Sequence, residues 1–242
     1  MSDSIKRICL WSSPRNVSTA FMYSWAQRPD TLVVDEPLYG YYLHKTQAKH
    51  PGKKEILKTM DLDANSVIKN MCSGQFERPV VFFKHMTHHT VLIDLTFMQH
   101  LYNLFFIRNP MQIIHSYSKV ISNPTMEDIG MKMQWEFYQF AIQKGYKSIV
   151  LDSGELLKDP ESVLKNLCFK IGIPFYATML DWSPGPRPED GIWAKFWYHN
   201  VHQSAGFEKT QEVKQELPAH LIPLYLEAKP FYDQLYQYSL KA

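Results

Sequence analysis

The sequence predicts a three-layer α/β sandwich around a central parallel sheet of about five strands. Three observations predict it. Short β-branched and apolar runs alternate with stretches of helical length. Two of the runs, residues 79–83 (PVVFF) and 101–107, are apolar almost throughout, as strands buried on both faces of a parallel sheet must be. No repeat, low-complexity tract or Gly/Ser-rich linker interrupts the alternation, so residues 1–242 read as a single domain.

The elements follow in order. Residues 5–11 read as strand one, and 17–28 as a helix stopped by Pro29-Asp30. Residues 31–34 form a short second strand. Helices at 61–72 and 90–99 flank the third strand, 79–83, and 101–107 is the fourth. Asn109 then looks like an N-cap with Pro110 at the first helical position, opening a helix to about residue 121. A long amphipathic helix spans 127–144, and 147–151 is strand five. Residues 160–171 form a helix closed by Gly172. The stretch 184–205 is irregular and rich in Pro, Trp and His. Residues 217–238 read as helical, kinked by Pro223 and Pro230.

Composition narrows the function. Hydrophobic residues make up 45% and charged residues 21%, which excludes a disordered or fibrous chain. Lys plus Arg is 26 against 24 Asp plus Glu, so no strong field favours long nucleic acid or an anionic membrane. Cys9, Cys72 and Cys168 are too scattered for a disulfide framework or a zinc site. Nothing approaches the ~18 apolar residues of a membrane span. The charged stretch 1–7 precedes only four apolar residues, too few for a secretory leader. A cytoplasmic protein is expected.

Two loops carry chemistry. Ser12-Ser13-Pro14-Arg15-Asn16-Val17-Ser18-Thr19 lies between strand one and its helix, where amides at a helix start converge on an anion. Ser13, Ser18 and Thr19 add hydroxyl donors, and Arg15 adds a bidentate cation. The GxxxxGK[ST] pattern of nucleotide-triphosphate loops is absent. Read blandly, the segment is a Ser/Asn-capped helix start. Strand four ends in Arg108-Asn109-Pro110, and Ser116 lies two turns into the following helix. An Arg at the carboxyl end of a central strand faces the ligand crevice, so Arg108 and Ser116 make a second anion site one sheet position from the first. The bland alternatives are a surface cation and an ordinary helical Ser.

Together these loops resemble those of the sulfotransferase family, whose donor is 3′-phosphoadenosine 5′-phosphosulfate. Ser13-Pro14-Arg15-Asn16-Val17-Ser18-Thr19 takes the place of the family's SxPRSGST or PKSGTT loop, which binds the 5′-phosphosulfate. Arg108-Asn109-Pro110 with Ser116 matches the segment that binds the 3′-phosphate. Residues 151–160 and Gly172-Ile173-Pro174-Phe175 resemble the segment near the end of the family's core. The likeness covers roughly residues 5–175 and implies a P-loop-like fold. The sequence also resembles the sulfotransferase-like part of plant branched-chain aminotransferase-like proteins, which implies no pyridoxal phosphate chemistry. Asn16-Val17 departs from the family's Ser-Gly and gives the backbone less freedom to approach an anion. The family's later Arg-Lys-Gly segment has no clear counterpart; Trp193-Ala194-Lys195 is the nearest, placing Lys195 on the 3′-phosphate.

Sulfuryl transfer needs an in-line donor and acceptor, positive groups at the leaving oxygen and a base for the acceptor's proton. That set requires no metal. The resemblance places a catalytic Glu after strand two, where Glu36 stands, at an end expected to lie beside the strand-one loop. Asp35 points the other way on an extended chain. Lys84 matches the Lys of the family's Lys-Thr-His motif, but the His is displaced: His85 comes one residue early and His88 two late. Base duty falls on Glu36 first, then His85 or His88. His85, His88 and His89 lack a carboxylate or Cys partner at metal spacing. Tyr39, Tyr41 and Tyr42 line an acceptor pocket or pack under a lid.

The expected function is sulfotransfer from that donor to a hydroxyl or amine of a small acceptor, with no nucleic-acid or membrane partner. Ser13, Arg15, Asn16, Val17, Ser18, Thr19, Arg108, Ser116 and Lys195 bind the donor, and Glu36, Lys84 and His85 serve catalysis. The alternatives are a degenerate anion-binding module without turnover and a P-loop phosphotransferase.

Overall fold

A computed structural model describes residues 5–208 and 216–241. Met1–Ser4, which begin the stretch read for a leader, lie outside it. The elements in chain order are β1 (Lys6–Ser12), α1 (Ser18–Ala26), β2 (Thr31–Asp35), α2 (Tyr39–Thr46), α3 (Lys53–Thr59), α4 (Ala64–Ser73), β3 (Val80–Met86) and β4 (Tyr102–Ile107). There follow α5 (Pro110–Tyr117), α6 (Met126–Ile129), α7 (Met131–Gln143), β5 (Ser148–Asp152), α8 (Ser153–Lys158), α9 (Pro160–Ile171), α10 (Ala194–Trp197), α11 (Ile222–Tyr236) and β6 (Ser239–Leu240).

All neighbouring strands are parallel, in the order β2-β3-β1-β4-β5-β6. This is the P-loop-like three-layer α/β fold. Alternation along the strands sorts the core into two layers. Ile8, Leu10, Phe82, Leu104 and Phe106 face one helical layer with Phe21 and Trp25. Cys9, Trp11, Val81, Phe83, Phe105 and Ile107 face the other with Phe137 and Ile113.

Several expectations need correction. The five expected strands are all present, and the two-residue β6, too short to show a pattern, adds a sixth at the edge. The segment read as a helix over 90–99 is instead two 3₁₀ turns, Thr87–Thr90 and Leu95–His100. Asp94 accepts from the Thr96 amide at 3.0 Å and so starts the second turn afresh. The single helix over 127–144 is split into α6 and α7 at Gly130, whose φ of +65° closes one helix and opens the next. The start of that segment is fixed by a capping box between Thr125 and Asp128. The end of β2 does not adjoin β1, because β3 lies between them. Asp35 is level with Lys84, and Lys84 with Leu10 of β1.

Candidate functional site

The loop after β1 is held by side chains rather than by glycine. Asn16 Nδ2 donates to the Phe106 carbonyl at 2.7 Å, and its Oδ1 accepts from the Val17 amide at 2.9 Å. Val17, at the N-cap of α1, provides no side-chain acceptor, so the helix start is left for another anion. Ser13 is buried and its Oγ has no partner among the described residues. A buried hydroxyl without a partner costs free energy unless a ligand or water completes it. Arg15 sits at φ +59°, in the left-handed region, and is exposed.

The loop after β4 meets it. Asn109 caps α5 by accepting from the Met111 amide at 3.0 Å, and Pro110 occupies the first turn as expected. Arg15 Nε donates to Ser116 Oγ at 3.0 Å, and Arg108 Nη1 donates to the Arg15 carbonyl at 2.7 Å. Arg108 Nε is steadied by Gln112 at 3.0 Å. Burial, and then the Arg15 charge, lower the Arg108 guanidinium below its ordinary value. Among the described residues, neither guanidinium has a carboxylate within salt-bridge reach. Two like charges held together without a counter-ion are a site for an anion.

A second centre forms at the ends of β2 and β3. Lys84 is fully buried. Its Nζ donates to Asp35 Oδ1 at 3.0 Å, to Glu36 Oε1 and to the Tyr198 hydroxyl at 2.7 Å. Asp35 thus belongs to the site, against the expectation that it points away. The reason is local: Glu36 adopts φ +44°, so the chain is not extended there and both carboxylates converge on one ammonium. Burial pushes the Glu36 carboxyl up to about 7 against the pull of Lys84. Burial alone would lower Lys84, but Asp35 and Glu36 more than offset it, so the ammonium is raised above its ordinary value.

The histidines take other places. His85 lies on the opposite face of β3 from Lys84, buried and stacked on Trp11 at 5.1 Å, with neither ring nitrogen partnered among the described residues. Burial, then the Lys84 charge, push it down to about 3. That surrounding does not suit it to exchange protons with an acceptor. His89 is nearer: its Nδ1 lies 3.8 Å from Glu36 Oε2, and its ring packs against those of Tyr39 at 4.6 Å and Tyr42 at 4.9 Å, which also touch each other. Burial pushes His88 down to about 4. Lys195 pairs with Glu55 at 2.7 Å on the exposed surface, and no contact joins it to Arg108 or Ser116 among the described residues. Sequence reasoning missed Tyr198, whose neighbours Trp193 and Lys195 drew attention only as possible donor contacts. Among the described residues, no group of three or more His, Cys, Asp or Glu side chains is arranged to hold a metal. None of their helices is long and apolar enough to cross a membrane.

Fold and site together define an α/β protein with two adjacent guanidinium groups and a buried Lys84–carboxylate cluster at the carboxyl edge of its parallel sheet. The chain belongs to the sulfotransferase domain family, which it matches over residues 6–237. Branched-chain-amino-acid aminotransferase-like proteins 2 and 1 of Arabidopsis thaliana are each 37% identical to it over 226 residues, 93% of this chain. The chain spans about 40% of the length of those relatives. Among solved structures, a sulfotransferase domain from the curacin biosynthetic pathway superposes with a TM-score of 0.61 at 16% identity, covering 98% of this chain and 99% of that one. A sulfotransferase from Alicyclobacillus acidocaldarius gives 0.56 at 11%, covering 97% and 95%.

Proposed function

We propose that the chain transfers a sulfuryl group from 3′-phosphoadenosine 5′-phosphosulfate to a hydroxyl or amine of a small acceptor. The observation that carries this reading is the joining of Arg108 to the Arg15 carbonyl and of Arg15 to Ser116, with no carboxylate in salt-bridge reach of either guanidinium among the described residues, at the start of α1. Arg108 and Ser116 hold the 3′-phosphate. Arg15, Ser13, Ser18, Thr19 and the amide of Asn16 hold the 5′-phosphosulfate; the Val17 amide, expected to join them, is already taken by Asn16 Oδ1.

Glu36 takes the acceptor's proton while the acceptor oxygen or nitrogen bonds to sulfur. The bond from sulfur to the 5′-phosphate oxygen breaks, and Lys84 steadies the charge left on that oxygen. The products are the sulfated acceptor, adenosine 3′,5′-bisphosphate and a proton on Glu36. A Glu36 carboxyl near 7 suits a base at neutral pH. His85 has no part in this scheme, because it faces the other side of β3. Lys195 has none either, because Glu55 already holds it.

Incubation with ³⁵S-labelled donor and a panel of phenols, alcohols and amines tests the reading. Labelled product that disappears in Glu36→Gln supports it. Binding of adenosine 3′,5′-bisphosphate with no transfer to any acceptor would instead mark an anion-binding module.

A further inference from the structure

An ammonium group has three protons, and Lys84 spends all three. Asp35 Oδ1, Glu36 Oε1 and the Tyr198 hydroxyl each take one. Lys84 therefore has no proton left for a donor oxygen until one contact is exchanged. The three contacts are unequal. Those to Asp35 and Glu36 join opposite charges in a buried place, whereas Tyr198 is neutral. Giving up a carboxylate would strand a buried charge. Giving up Tyr198 strands little, because its hydroxyl still donates to Asp35 Oδ2 at 2.7 Å and still accepts from Trp193 Nε1 at 3.0 Å. Asp35 Oδ2 is also held by the Gly191 amide at 3.1 Å, so the far side of the network stays fixed.

We infer that Tyr198 is a positioning residue that holds the place of the leaving 5′-phosphate oxygen on Lys84 until the nucleotide arrives. This rests on the sulfotransferase reading above. It assigns a role in the donor site to Tyr198, a residue the sequence reading did not single out. Tyr198 keeps the buried ammonium aimed and satisfied in the free protein, and yields one N–H to the nucleotide without disturbing either carboxylate.

In Tyr198→Phe the competing hydroxyl is gone and one Lys84 proton lies unpartnered. A nucleotide oxygen that fills this place recovers the cost of the unpaired donor. Calorimetric titration with adenosine 3′,5′-bisphosphate, whose 5′-phosphate carries the leaving oxygen, reads this directly and needs no acceptor. Tyr198→Phe should bind it about threefold to tenfold more tightly than wild type, the equivalent of one net hydrogen bond. A purely structural role gives equal or weaker binding, and either result overturns the inference while leaving the sulfotransferase reading in place. Absence of bisphosphate binding by wild type would remove both. If Tyr198→Phe does not fold, a crystal structure of wild type with the bisphosphate serves. Lys84 should then touch the 5′-phosphate and both carboxylates but not Tyr198. Retention of the Tyr198 contact with loss of a carboxylate contact would overturn the inference.

Discussion

Arg15 and Ser116, 101 residues apart in sequence, are joined by a 3.0 Å hydrogen bond from Arg15 Nε to Ser116 Oγ. That bond ties the loop after β1 to the helix after β4. It brings the two expected anion sites to one edge of the sheet, within reach of one ligand that has an anionic group at each end.

Glu36→Gln should abolish transfer while leaving bisphosphate affinity within about threefold, since the amide keeps the shape of the side chain but cannot take a proton. In wild type, the rate with donor bound should rise with pH through about 7 and then level, as Glu36 loses its proton. A rate independent of pH from 6 to 8 would speak against Glu36 as the base.

The same carboxyl governs stability. Glu36 holds its proton more tightly in the folded state, at about 7, than in the unfolded chain, at its ordinary 4.5. Its contribution is therefore fully present below about 4.5 and is lost as pH rises through about 7. Denaturant titrations of wild type and Glu36→Gln should show this component of the pH dependence in wild type alone. Parallel curves for the two proteins would contradict it.

Lys84→Met leaves Asp35 and Glu36 buried without their cation. The expected loss is about 3–5 kcal/mol at pH 8. At pH 5 the loss should be smaller, because Glu36 is then protonated. Chemical denaturation at the two pH values measures the difference, and an equal loss at both would be inconsistent with the arrangement.

Asn16→Ala removes the 2.7 Å bond to the Phe106 carbonyl and the 2.9 Å bond from the Val17 amide. About 1–3 kcal/mol of stability should go with them. Bisphosphate binding should weaken as well, because the loop loses its anchor to β4. Unchanged stability and binding would show that the loop is held by other means.

Much of this was legible in the sequence because it is local. The apolar runs of β1, β3, β4 and β5 announce buried parallel strands, and Asn109-Pro110 announces the start of α5. Arg15, Arg108 and Ser116 could be brought together in advance because strand order and the strand-end rule place them. Asp35 could not, because its approach to Lys84 depends on a left-handed backbone at Glu36, a residue type that does not advertise one. Tyr198 lies 114 residues from Lys84 in an irregular segment, where periodicity says nothing. The unsuitability of His85 follows from β3 continuing to Met86, which puts Lys84 and His85 on opposite faces. The break at Gly130 was visible as a residue, but only its φ shows that it divides two helices.

The central claim is that Arg15 and Arg108 hold a nucleotide bearing phosphates at both ends of its ribose. Calorimetry with adenosine 3′,5′-bisphosphate in EDTA, on wild type and Arg108→Ala and beside ATP with Mg²⁺, tests it most directly. The account predicts metal-independent binding of the bisphosphate by wild type, weakened about tenfold to a hundredfold in Arg108→Ala, the worth of a hydrogen bond to a charged group. Binding of ATP with Mg²⁺ but not of the bisphosphate would contradict it.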